Sequence, residues 1–137
     1  MFAAEQLANE KKSSTLTIIR FAGLIGPGRN LAKHFAGRTA IPNGLAPVNL
    51  IHLDDCLGIT LAIITQKAFG HIYHGVVPDH PTRAIFYTAA CSTANMAEPQ
   101  FVDELLPWKQ VDSINVPTIL GYEFKNNNWK NWLENGD

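Results

Sequence analysis

Chemistry in this sequence begins with three short groupings of polar side chains. His52, Asp54 and Asp55 crowd the start of an apolar segment, and His71 and His74 lie three apart in another. Gly26-Pro27-Gly28 sets a bend beside Arg29 and Asn30, with Lys33 soon after. A histidine with two carboxylates could begin a metal site, yet no further ligand stands at a matching spacing. A carboxylate opening an apolar helix does a simpler job, and we expect Asp54 to cap that helix. On a strand His71 and His74 point to opposite faces and cannot share an ion. The glycine bend is not a Walker sequence, because no Lys-Ser/Thr pair follows, so it reads as a turn. Arg29, Asn30 and Lys33 gather at a helix start and are the residues expected to face an anionic substrate; Asn49 is a fourth candidate for substrate contact. No Ser-His-Asp or Cys-His arrangement can be assembled, so we assign no catalytic residue and no metal ligand in this chain.

The elements that must position these groups alternate between strand and helix. Phe2 to Lys12 holds good helix formers. Thr15 to Phe21 (TLTIIRF) is β-branched and aromatic, with apolar residues on both faces, as in a parallel strand covered by helices. Gly23 to Arg29 should turn, and Asn30 should cap a short helix over Leu31 to Ala36. Val48 to His52 is a short strand, and the helix after it should run to Lys67 with Leu57, Leu61, Ile64 and Ala68 inward. His71 to Val76 is another strand; Thr82 caps a helix from Arg83 to about Ala94. Pro99 to Trp108 could hold one helical turn, and Lys109 to Asp112 a short strand. Ser113 should cap Ile114 to Leu120, ended by Gly121, before a last helix over Asn128 to Glu134. Trp108, Trp129 and Trp132 are expected as core anchors rather than platforms for bases. The class is α/β. The count of strands is thin for one as apolar on both faces as TLTIIRF, which wants a neighbour on each side.

Composition narrows the function classes. The 137 residues are 46% hydrophobic and 17% charged, which is a globular balance and enough chain for a single domain. A net charge of -1 without a Lys/Arg cluster argues against a nucleic-acid binder. No apolar run is long enough to span a bilayer, and Met1 to Lys12 lacks the pattern of a signal peptide. Cys56 and Cys91 are read as buried thiols of a reducing, cytoplasmic compartment.

Three segments in order carry a family resemblance. They are Thr17-Ile18-Ile19-Arg20-Phe21-Ala22-Gly23-Leu24-Ile25-Gly26-Pro27-Gly28-Arg29, then Val48-Asn49-Leu50-Ile51-His52-Leu53-Asp54-Asp55-Cys56, then the stretch from His71 to Tyr87. Together with Leu120-Gly121-Tyr122-Glu123-Phe124 and Trp132-Leu133, this resembles the C-terminal half of the extended short-chain dehydrogenase/reductase superfamily, the NAD-dependent epimerase/dehydratase group. The resemblance implies the last part of a Rossmann-like doubly wound parallel sheet with a small α/β substrate-binding lobe. It implies NAD or NADP in a full-length parent, with Phe21, Ala22 and Gly23 bordering the nicotinamide, and a substrate of the nucleotide-sugar or related hydroxy/keto kind.

Departures from the family pattern shape the expectation further. The phosphate-cradling glycine turn and the Tyr-x-x-x-Lys pair are not in this sequence; Ala3 to Leu7 match the segment after that lysine. The chain alone is therefore expected to bind no dinucleotide tightly. Gly23 stands where many sugar-nucleotide members carry Asn, and Val48 where they carry Arg, which weakens the case for a nucleotide sugar specifically. The expected partner is an N-terminal dinucleotide-binding half. The alternative is a non-catalytic interaction module that pairs, with a second copy or another chain, through the edge of Thr15–Phe21. No nucleic-acid or membrane partner is expected.

Overall fold

A computed structural model describes residues 2–10 and 16–134. The chain runs through helix α1 (Phe2–Glu10), strands β1 (Ile18–Phe21) and β2 (Gly23–Ile25), a 3-10 turn (Leu31–His34), strand β3 (Leu50–His52), helix α2 (Leu53–Thr65), strand β4 (Ile72–Gly75), and helices α3 (Arg83–Thr93), α4 (Asn115–Leu120) and α5 (Trp129–Glu134). Among the described residues there are two sheets of two strands, and both pairs are parallel.

One extended ribbon feeds both sheets. Ile18–Phe21 pairs with Ile72–Gly75, whereas Gly23–Ile25 pairs with Leu50–His52. The switch falls at Ala22: its N–H donates to Gly75 O, while the next N–H, on Gly23, donates to Asn49 O. A side chain at position 23 would start 3.1 Å from Asn49 O, so the crossing requires glycine. This corrects the expectation of a turn beginning at Gly23; the turn starts at Gly26. Thr15, the first residue of the expected strand, lies outside the described residues.

The crossover helix α2 buries Asp55, Cys56, Ile59 and Ile63 against Ile51 and Tyr73. The expected inward stripe is wrong: Leu57 and Leu61 are each 61% exposed and Ile64 56%. Two apolar stripes exist on this helix, and packing against the sheet selects the one that includes a buried carboxylate. A second cluster joins Ile25, Val48, Leu50, Val77, Phe86, Trp129 and Trp132 under the small lobe. Trp108 does not join it and is 48% exposed, against expectation. Thr82 caps α3 as read, its Oγ1 accepting from Ile85 N. The other caps differ. His52 Nδ1, rather than Asp54, accepts the N–H that opens α2, and Ser113 donates to His74 O instead of capping α4. Pro99 to Trp108 makes no helical turn; Phe101 bridges Ile41. Lys109–Asp112 forms no strand.

Candidate functional site

The parallel pair β1/β4 has two margins, and they are treated differently. Ile18 N–H donates to His71 O and Ala22 N–H to Gly75 O, so by the two-residue period Ile18, Arg20 and Ala22 turn their peptide groups toward β4. Ile19 and Phe21 therefore turn theirs the other way. Among the described residues no strand lies along that side. On the far margin of β4, Ser113 Oγ donates to His74 O and Asn115 Nδ2 to Ile72 O. Side chains from the start of α4 thus satisfy the outward carbonyls of β4. Beside the open margin, α1 is tied to β1 by Glu5, whose carboxylate accepts from Arg20 Nε and Nη2. The guanidinium holds the Glu5 carboxyl below its ordinary range and is itself pushed up by that hydrogen bond. Arg20 Nη1 also meets His74 Nε2 at 3.3 Å. Arg20 is engaged within the fold at the sheet.

Phe21, Ala22 and Gly23 stand at the C-terminal end of β1, where parallel sheets take their ligands. The Ala22 and Gly23 N–H groups are spent on the two ladders, so this trio can offer a ligand shape and carbonyls rather than donors. Phe21 is 37% exposed, and its ring lies where a Cβ on Gly75 would fall.

Arg29 and Asn30 lie at the mouth of a cavity of about 300 Å3 between the Gly26–Gly28 turn, α3 and α5. Asn30 Oδ1 accepts from Ala32 N at 2.9 Å and caps the 3-10 turn, as read, although that turn ends at His34 rather than Ala36. Lys33 is exposed and does not line the cavity. Asn49 lies apart from this group. Its Nδ2 donates to Lys109 O and its Oδ1 accepts from Val111 N, so both ends of the amide hold the 109–111 segment as a strand would.

Residues that the motifs did not single out carry much of the architecture. Asp55 is fully buried and accepts from Tyr122 Oη, Lys125 N and Asn126 N. The Tyr122 hydroxyl is pushed well up by burial first and then by the Asp55 carboxylate. Gly58 makes room for it: a Cβ there would sit 2.2 Å from the Tyr122 oxygen. Since an amide N–H donates to His52 Nδ1, the proton of the neutral ring is on Nε2, and that atom is buried without a partner. Trp132 Nε1 is likewise buried and unpartnered, with the two rings 6.2 Å apart. His80, also unflagged, sets Nδ1 3.1 Å from Val48 O and Nε2 3.7 Å from Asp112. Both thiols are free and buried, and burial pushes Cys56 up to about 11. Among the described residues no group of three or more His, Cys, Asp or Glu could hold a metal, and no helix is long and apolar enough to cross a membrane.

Comparison with known proteins places this arrangement. No family model matches the chain. It is 37% identical over 114 residues to Protein YeeZ of Escherichia coli K12, spanning 82% of this chain and 41% of that protein. A functionally unknown conserved protein from Silicibacter pomeroyi superposes with a TM-score of 0.78 at 22% identity, over 97% of this chain and 51% of its own. UDP-glucuronic acid 4-epimerase from Bacillus cereus, solved with UDP-4-deoxy-4-fluoro-glucuronic acid and NAD, gives a TM-score of 0.74 at 16% identity, over 97% of this chain and 48% of that one. The chain thus spans about two fifths to one half of the length of the relatives it matches.

Proposed function

From the premise that this chain has the Rossmann-like fold of the C-terminal half of the extended short-chain dehydrogenase/reductases, we propose that it serves as the substrate-binding portion of an NAD(P)-dependent epimerase, dehydratase or related oxidoreductase. One observation carries this reading: the β1/β4 sheet is closed along β4 by Ser113 and Asn115 and open along β1 at Ile19 and Phe21. An interior strand with apolar faces and one unpaired margin is built to receive another strand there. The outward stripe of Leu57, Leu61 and Ile64 on α2 supports continuation in the same way.

The nicotinamide, when bound, supplies hydride transfer. The part of this chain is to wall the reaction at Phe21–Gly23 and to hold substrate in the small lobe. The substrate is a hydroxy or keto compound of the nucleotide-sugar kind or a relative of it.

Co-expression with a dinucleotide-binding half from the same superfamily tests the reading. The complex should bind NAD(P) more tightly than that half alone; equal affinity, with both chains folded, would overturn it. The same open margin also supports a second reading, a module that pairs with its own copy. Sedimentation at rising concentration separates the two, since a strict monomer removes the self-pairing version.

A further inference from the structure

The cavity between the Gly26–Gly28 turn, α3 and α5 has a composition that none of the foregoing explains. Its walls include Ile25, Phe86, Trp132 and Leu133, while Arg29 and Asn30 edge it. None of its lining comes from β1 or β4, so it lies away from the strand ends that would border a nicotinamide. Trp132 is only 4% exposed, and its Nε1–H finds no acceptor among the described residues. An indole N–H can only donate, and a buried donor left unmade costs about 1–3 kcal/mol. That cost is recovered when an oxygen comes to it. Arg29 is exposed and makes no hydrogen bond or ion pair among the described residues, while Asn30 spends its carbonyl on the Ala32 cap. A volume of about 300 Å3 suits one ring with a short chain.

We propose that this cavity binds a small organic anion: a ring-sized apolar group against Phe86 and Trp132, with its carboxylate-type oxygens toward the Arg29 side. Apolar walls supply the affinity, and the single cation supplies the choice of charge. All the walls belong to this chain. The inference therefore stands apart from the strand-partner reading, and either can fail without the other.

Calorimetric titration of the full chain with 3-phenylpropionate, and with its neutral match 3-phenylpropanol, tests it. The acid should saturate in the millimolar range or tighter, the alcohol roughly fivefold more weakly, and Arg29→Gln should remove that difference. The indole N–H resonance of Trp132 should move on titration with the acid. Thr93→Trp places a ring into the cavity from an exposed position and should abolish binding. Arg29→Gln keeps the test decisive if Thr93→Trp fails to fold. No saturation by the acid at about 10 mM would overturn the proposal. So would equal affinity for acid and alcohol with no effect of Arg29→Gln, or unchanged affinity in a folded Thr93→Trp chain.

Discussion

Along β4 the sheet ends; along β1 it stops short. The outer carbonyls of Ile72 and His74 receive side-chain donors from Asn115 and Ser113, and α4 lies over that strand. The outer peptide groups of Ile19 and Phe21 have no strand beside them among the described residues. Exposed edges are normally blunted by charge, proline or cover. The β4 margin follows that rule and the β1 margin does not, although β1 carries the more apolar sequence. The difference teaches that an edge is identified by what satisfies its backbone rather than by the polarity of its side chains. It also gives the sheet a direction of growth.

The strongest way to break the comparison is to loosen the finished margin at its anchor. Asp55 joins α2 to Tyr122 and to the backbone of Lys125 and Asn126, just past α4. Asp55→Ala would leave a buried hydroxyl and two amide N–H groups without their acceptor. We expect a loss of about 3–5 kcal/mol, read as a lowered urea midpoint at unchanged slope. An effect under about 1 kcal/mol would show that the lobe is held by packing alone. Removing the two side-chain donors themselves is the next step down. Ser113→Ala with Asn115→Ala should cost about 1–3 kcal/mol and make the β4 margin sticky, seen as concentration-dependent sedimentation.

The open margin is sharpened by two prolines one residue apart. Ile18→Pro deletes the N–H that donates to His71 O, whereas Ile19→Pro deletes an N–H directed to the open side. Both side chains are half-buried, so the packing losses are comparable. In the chain alone Ile18→Pro should be the more damaging by about 1 kcal/mol. With a dinucleotide-binding half present the order should reverse, Ile19→Pro alone removing the gain in NAD(P) affinity while the chain stays folded. Equal behaviour of the two would mean that no strand adds there.

How far the sequence could be read follows from the same physics. Strand β1 was legible because residues apolar on both faces leave few alternatives. Helix α3 was legible because Thr82 marks its start. The face of α2 was not, since Cys56, Ile59 and Ile63 compete with Leu57, Leu61 and Ile64 at the same period. Asp55 looked like a solvent-side residue until three donors were found around it. A signal was present: Gly58 lies one turn on from Asp55, and a glycine inside a helix marks a close approach. For the site, Arg29 and Asn30 were legible as neighbours at a turn, and the structure adds the cavity beside them. The unpaired nitrogens of His52 and Trp132 were not legible, because burial without a partner is a property of three-dimensional packing.

The smallest expected effect concerns α1, which is tied to the open strand through Glu5 and Arg20. Arg20 lowers the folded pKa of Glu5 from its ordinary 4.5, so the pair favours the folded arrangement above that value. As pH falls through the lower folded value, Glu5 takes up a proton and the contribution disappears. The pair is open to solvent, so global stability should change little. The amide resonances of α1 should nevertheless shift or broaden in that window before those of α2 or α3. Glu5→Gln should flatten this response while leaving the urea midpoint nearly unchanged. If α1 and α2 respond together in the unsubstituted chain, the pair does not act locally, and α1 is held to β1 by something other than Arg20.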